Sequence, residues 1–205
     1  AFSAIGAAAG CSLTSKDTVY CCLPLHHAAG MLVAVGGALA GGARFALSKR
    51  FSADEFWGEV RRYGASVVFY AGDMCRPLIE APATIGEAKN PVRLFAGSGI
   101  RADVWQQLVE RFGTGVLDFH ASTEGNVVLA NASGQKLGAV GRPIPGSAEL
   151  ALVVYDFEKR TLARGDDGLL LRCGADEPGV LISRVDARTL AKFDGYEDRA
   201  TEERR

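Results

Sequence analysis

The sequence lacks an excess of charge of either sign. Its 205 residues carry 23 basic and 24 acidic side chains, which leaves a formal net charge of -1. Affinity for a phosphate backbone depends on clustered Lys and Arg, so this balance argues against nucleic acid as a partner. Hydrophobic residues make up 48% of the chain and charged residues 23%, a composition that excludes bulk disorder and allows a core to be buried.

Patterned cysteines and a membrane-length apolar run are also lacking. The five cysteines are an odd number without CxxC spacing, so the sequence predicts neither a disulfide framework nor a zinc site, and a reducing, cytoplasmic compartment is favoured. The apolar run at 28–43 is about sixteen residues long, shorter than the ~20 residues of a spanning helix, and we interpret it as a buried helix. The start, AFSAIGAAAG, has neither an initiator Met nor the basic flank of a signal peptide. We therefore expect an interior segment of a longer chain.

What is present is an alternation of short β-rich runs and helical patterns between residues 18 and 119. This alternation is typical of a parallel sheet with crossover helices. Strands are predicted at 18–22, 44–47, 66–70, 92–96 and 116–119. Helices are predicted at 31–39, 52–64, 73–80 and 102–112. A capping box of Ser52 and Glu55 begins the second helix, and Gly64 and Gly113 end the second and fourth.

Beyond about residue 126 the helical period disappears. Strands are predicted at 127–130, 149–155, 168–172 and 180–183, separated by turn residues such as GDDG at 165–168. The predicted fold class is therefore α/β, with a mostly parallel sheet and crossover helices (1–130) followed by a smaller β-rich subdomain (131–205).

Three clusters of small and polar residues follow predicted strands, where ligands bind in parallel sheets. LDFHASTEGN at 117–126 offers the Thr123 hydroxyl for a phosphate oxygen and the Glu124 carboxylate for Mg2+. Gly97 and Gly99, in RLFAGSGIRADVW at 93–105, allow close approach of backbone to a flat ligand. The third cluster is CCLPLHHAAG at 21–30, with two adjacent histidines. Taken alone, each of the first two clusters is more typical of a structural turn than of a binding site. The adjacent histidines lack a third ligand at a helical or hairpin offset, so a histidine at the mouth of an apolar channel is favoured over a metal site.

In this order and at these separations, the clusters resemble the central part of the adenylate-forming acyl-CoA synthetases. The resemblance is greatest to the branch of fatty-acid transport proteins and very-long-chain acyl-CoA synthetases. It rests on YCCLPLHHAAG at 20–30, the block at 44–79, VRLFAGSGIRADVWQQLVERFG at 92–113, DFHASTEGN at 118–126, EPGVLISR at 177–184 and FDGY at 193–196. Together these segments extend over nearly the whole chain.

The resemblance implies a reaction in which a fatty acid or related carboxylic acid, ATP and Mg2+ give an acyl-adenylate, from which coenzyme A displaces AMP. It implies an adenine slot formed by Gly97, Ser98, Gly99, His120, Ala121 and Ser122. His120 stands where the family usually has a stacking Tyr, with Ala121 and Ser122 where Gly and Ala are usual. Thr123 and Glu124 correspond to the pair that contacts the α-phosphate and Mg2+.

The acyl end is implied to include a gating histidine, His27, together with Tyr70 and Gly72. Small residues at 28–42 predict an apolar tunnel leading inward from His27, with close packing of this helix as the alternative. The family's phosphate loop with its Lys is expected before residue 1, and its C-terminal domain after residue 205, so we expect the isolated chain to be inactive. The resemblance also allows peripheral association with a membrane and the formation of a homodimer.

Other classes of function stay open at this point. One is an amino-acid-activating adenylation domain, whose pocket normally has an Asp for the α-amino group. Another is a module that binds a lipid or nucleotide without reacting it. The third is a structural protein in which the small-residue helix serves only packing. The phosphate loop in the parent reading frame would decide for the ligase.

Overall fold

The computed structural model describes residues 2–84, 87–122, 127–132 and 136–185. The chain divides into two compact units, one made of Ala1–His120 and Leu129–Arg142, the other of Ala121–Val128 and Pro143–Arg205. The predicted domain boundary at residue 130 stays a prediction.

The first unit is built on a sheet whose predicted strands are confirmed, with shifts of one or two residues at most ends. The sheet has seven strands in the order β2-β1-β3-β4-β5-β6-β7. Their bounds are β1 Thr18–Cys21, β2 Arg44–Leu47, β3 Val67–Ala71, β4 Leu94–Ser98, β5 Gly115–Ala121, β6 Val128–Asn131 and β7 Arg142–Pro143. The pairs β1–β2, β1–β3, β3–β4 and β4–β5 are parallel, which confirms the predicted α/β class.

Helices connect the parallel strands. They are α1 Phe2–Gly10, a π-helix Ala29–Val35 that continues as α2 Gly36–Gly41, α3 Ala53–Tyr63, α4 Cys75–Glu80 after a 3-10 turn Gly72–Met74, a 3-10 turn Glu87–Lys89, and α5 Ala102–Phe112. Ser52 Oγ accepts the Glu55 N–H, and Gly64 and Gly113 adopt the left-handed conformation, so the predicted bounds of α3 and α5 are confirmed. Within the described residues no helix is both long and apolar enough to cross a bilayer.

The prediction for the apolar run at 28–43 is wrong in one respect. Its helix is only half-buried, because Met31, Leu32 and Leu39 are exposed. Its buried side instead packs against α1, which the sequence did not predict. A Cβ added at Gly36 would lie 2.9 Å from Ala4 Cβ, and one added at Gly37 would lie 2.9 Å from Ala7 Cβ. The glycines therefore let two helices approach closely.

Aromatic side chains on α3 and α5 form much of the core on one face of the sheet. The Phe56 ring meets Tyr20 edge-on at 5.6 Å and Trp57 at 4.9 Å, and it stacks with Phe95 at 6.1 Å. Trp57 in turn lies 4.6 Å from Phe112 at the end of α5. These contacts fix both helices on β1 and β4, which are buried along most of their length.

The second unit contains two short antiparallel pairs. β8 (Leu150–Val153) pairs with β11 (Val180–Ser183), and β9 (Tyr155–Asp156) pairs with β10 (Thr161–Leu162). The predicted strand at 168–172 is wrong, since Leu170 and Arg172 form only isolated bridges. The two bridges go to different partners, Arg164 and Val153, so no continuous ladder forms.

The buried carboxylate of Asp17 joins the segments that precede β1, β3 and β4. Asp17, just before β1, accepts hydrogen bonds from Ser66 Oγ at 2.7 Å, Arg93 Nε at 2.9 Å and the Thr14 N–H at 2.9 Å. Arg93 also donates to the Cys11 carbonyl at 2.8 Å, which joins the end of α1 to the network. Burial alone would raise the pKa of Asp17, but the hydrogen bonds from Arg93, Ser66 and Thr14 outweigh it and hold that pKa well below its usual range.

We expect Asp17→Asn to destabilise the protein by about 1–3 kcal/mol at pH 7, because the ionised acceptor is lost. A carboxylate with a lowered folded-state pKa stabilises fully above its unfolded pKa of about 4 and loses that contribution as pH falls toward the folded value. The difference between wild type and variant should therefore shrink between pH 5 and pH 3 in urea denaturation. A difference that stays constant over this range would contradict the role of Asp17, and Asp166→Asn in an exposed turn serves as control.

Candidate nucleotide-binding site

Several predicted site residues lie together at the carboxyl ends of β3, β4 and β5. The register pairs Tyr70 of β3 with Gly97 of β4, and Gly97 with Asp118 of β5. Because these strands are parallel, the residues that follow them lie at one edge of the sheet. Ser98, Gly99 and His120 are exposed at this edge.

Two glycines, Gly72 and Gly99, bring their backbones close together at this edge. A Cβ added at Gly72, after β3, would lie 2.6 Å from the Gly99 carbonyl oxygen. Gly99 itself has a φ of 88°, a left-handed conformation that favours glycine. The turn after β4 is therefore built from bare backbone, which suits the edge of a flat ligand.

His120 lies two residues beyond Asp118 on β5, with its side chain exposed. An exposed imidazole at a strand end can stack on a base, although with less area than a phenol. Ala121 is the last residue of β5 and is exposed; Ser122 follows it, and its N–H donates to the Val127 carbonyl at 3.3 Å.

Thr123 and Glu124 lie outside the described residues, as do 193–196, so their predicted roles stay predictions. Within the described part of the chain, no cluster of three or more His, Cys, Asp or Glu side chains could hold a metal ion.

His27 follows β1 and begins the next helix. Its Nδ1 accepts the Ala29 N–H at 3.2 Å, and its carbonyl accepts the Gly30 and Met31 N–H groups at 3.0 and 3.1 Å. Cys22 Sγ contacts Met74 Sδ at 3.6 Å, which connects the loop after β1 to the segment after β3. The ring orientation of His27 is thus set by the helix start, and its gating role stays a prediction.

Two predicted site residues, Gly97 and Tyr70, lie against each other. Gly97 is not open to a ligand on its Cβ side, because a Cβ added there would lie 2.6 Å from Tyr70 Cγ and would overlap the Tyr70 carbonyl oxygen. Tyr70 is only 2% exposed, and its hydroxyl donates to Asp118 Oδ1 at 2.6 Å. The predicted roles of Gly97 at the adenine and of Tyr70 at the acyl end stay predictions. Sequence reasoning missed Asp118, whose one signal is a carboxylate in the middle of a largely apolar strand.

Known proteins resemble this chain along most of its length. A family model described as "AMP-binding enzyme" matches residues 2–176. The chain belongs to the AMP-binding enzyme family. It is 39% identical over 191 residues to "Long-chain fatty acid transport protein 6" of Mus musculus, with 91% of this chain and 30% of that protein covered. It is 38% identical over 197 residues to "Medium/long-chain-fatty-acid--CoA ligase FadD6" of Mycobacterium tuberculosis, with 96% of this chain and 32% of that protein covered. The chain thus spans about a third of the length of these AMP-binding relatives.

A solved structure shares the fold. ATP-bound MatB from Rhodopseudomonas palustris superimposes with a TM-score of 0.77 at 19% identity, covering 98% of this chain and 37% of that one. The architecture described above is therefore the fold of a segment of that larger protein.

Proposed function

We propose that this chain is the nucleotide-binding segment of an ATP-dependent fatty acyl-CoA ligase, called here the full-length protein. The observation that carries the proposal is the match to a fatty-acid–CoA ligase along 96% of the chain. The glycine turn and the exposed His120 at one sheet edge support it. A fatty acid would be the carboxylic acid substrate, and coenzyme A the acceptor.

In the proposed reaction the fatty-acid carboxylate attacks the α-phosphorus of ATP, a P–O bond forms and pyrophosphate leaves. The thiol of coenzyme A then attacks the acyl carbon of the adenylate, AMP leaves and the thiol proton passes to solvent. Both steps bring anions or developing charge together, so the site must supply hydrogen-bond donors and positive charge.

Different residues of this chain would contact different parts of the bound ATP and Mg2+. The backbone of Gly99 and the Ser98 hydroxyl would border the adenine, and the His120 ring would stack on it. Ala121 and Ser122 would continue this border. The Thr123 hydroxyl would donate to an α-phosphate oxygen. Mg2+, when bound, would offset phosphate charge, and Glu124 is the residue proposed to hold it.

Gly72 would separate the nucleotide from the acyl end, because its backbone lies against Gly99. His27 would gate the acyl path at the neighbouring strand end. All five cysteines are free thiols, which fits the reducing compartment proposed for the reaction.

Thioester formation by the full-length protein tests the proposal. We expect acyl-CoA and AMP to appear in equal amounts, only when ATP, Mg2+, coenzyme A and a medium or long fatty acid are all present. AMP formation driven by an amino acid instead of a fatty acid would favour an amino-acid-activating domain, and tight nucleotide binding without turnover would favour a carrier.

Gly36 and Gly37 face α1, which favours close packing of this helix over the tunnel predicted from small residues. We expect Gly37→Leu in the full-length protein to destabilise it by about 1–3 kcal/mol, since the new side chain must displace Ala7. Activity should fall by the same factor with short and long fatty acids. Selective loss of long substrates at unchanged stability would restore the tunnel, and Gly6→Ala on α1, where an added Cβ meets nothing within 4 Å, is the control.

A further inference from the structure

A phenol and a carboxylate form a buried pair directly beneath the glycine turn. Tyr70 and Asp118 are 2% and 7% exposed, and the Tyr70 hydroxyl donates to Asp118 Oδ1 at 2.6 Å. The two residues belong to β3 and β5, which are separated by β4. Both are register partners of Gly97, so the phenol reaches Asp118 by crossing β4 where that strand has no side chain.

The same carboxylate oxygen also holds the turn itself. The Ile100 N–H, directly after Gly99, donates to Asp118 Oδ1 at 3.4 Å. Ile100 is 4% exposed, so its side chain anchors the turn from below. A left-handed turn made of glycine has few conformational restraints of its own, and the hydrogen bond from Ile100 to Asp118 supplies one.

Asp118 is buried, so the pKa of its carboxyl group depends on the groups that donate hydrogen bonds to it. Burial raises the pKa of Asp118, while the hydrogen bonds from Tyr70 and Ile100 oppose this effect, with His120 adding to them. Losing the Tyr70 donor would leave the buried carboxylate less satisfied, and it would no longer be held in the orientation that accepts the Ile100 N–H.

We propose that Asp118 is a positioning residue, held by Tyr70, which fixes the Gly99–Ile100 turn in the conformation that binds the nucleotide. The inference rests on the proposed function, because it concerns the ATP affinity of that site. Neither side chain needs to touch ATP.

The test compares two tyrosines of the full-length protein. Tyr20 on β1 is the matched control, since it is fully buried and its hydroxyl donates to Glu59 Oε2 at 2.5 Å, a bond that supports α3 rather than the turn. We expect Tyr70→Phe to raise the equilibrium dissociation constant for ATP, measured by calorimetry, by about three- to tenfold. Tyr20→Phe should leave it within about twofold of wild type, although both variants lower the thermal unfolding temperature.

Two substitutions of Asp118 complete the test. Asp118→Asn keeps an oxygen acceptor and should retain ATP affinity within about threefold, whereas Asp118→Leu should weaken it by more than about tenfold. The KM for the fatty acid should stay unchanged in every variant. If Asp118→Leu does not fold, Tyr70→Phe carries the test, because it preserves ring volume and the packing on Gly97.

The outcomes separate the two proposals. If wild type binds ATP and Tyr70→Phe matches Tyr20→Phe in both stability and ATP affinity, the pair is only structural and the positioning role is overturned. If the wild-type protein binds no ATP, the proposed function itself is overturned, and the positioning role with it.

Discussion

Glu124→Gln in the full-length protein is expected to lower the rate of fatty-acid-dependent ATP–pyrophosphate exchange by about 100-fold or more. The change keeps the size of the side chain and removes the negative charge proposed to hold Mg2+. The thermal unfolding temperature should stay near that of wild type. Exchange and unfolding are measured on the same preparation.

The control for this result is Glu110→Gln, an exposed position on α5 whose carboxylate accepts a hydrogen bond from Gln106. It removes the same charge and should leave exchange unchanged. If exchange by Glu124→Gln equals wild type at saturating Mg2+, residue 124 belongs to an ordinary turn and the proposed metal role is wrong.

Gly97→Val is the second substitution with a large expected effect. The new Cβ would overlap the Tyr70 carbonyl oxygen and press on the Tyr70 ring, both of which are buried. Overpacking of this kind costs about 1–3 kcal/mol, and displacement of Tyr70 should also break its hydrogen bond to Asp118. We expect a lower free energy of unfolding in urea and an ATP affinity reduced by about tenfold or more.

Gly58→Ala is the matched glycine control. Gly58 is exposed within α3, and a Cβ added there meets nothing within 4 Å. Because alanine favours the helix, this variant should be more stable by about 0.5–1 kcal/mol and should bind ATP normally. If Gly97→Val and Gly58→Ala lose equal stability, the contact of Gly97 with Tyr70 is not the cause of the loss in Gly97→Val.

The features predicted well from sequence are those whose signals are local. Ser52 with Glu55 and Gly64 determine both ends of α3 within twelve residues, and the structure confirms both ends. The turn after β4 is similar, since the left-handed Gly99 is recognisable from its strand–glycine–helix context. Short-range hydrogen bonds and glycine conformations do not require knowledge of the rest of the fold.

The features that were not predicted from the sequence depend on residues far apart in the chain. The Tyr70 to Asp118 hydrogen bond joins strands 48 residues apart and becomes evident only from the register of three strands. The packing of Tyr70 against Gly97 was not predicted for the same reason, because a missing side chain can make room for a ligand or for a neighbouring ring. α1 has neither an acidic first turn nor a basic last turn, so its apolar sequence gave no helix signal.

The central claim is that the nucleotide lies at the carboxyl ends of β4 and β5, and photolabelling of the full-length protein with 8-azido-ATP tests it most directly. Tryptic cleavage separates residues 94–101, which contain the glycine turn, from 112–136, which contain His120. We predict that label prevented by excess ATP appears in one or both of these peptides. ATP-sensitive label confined to other peptides would contradict the account.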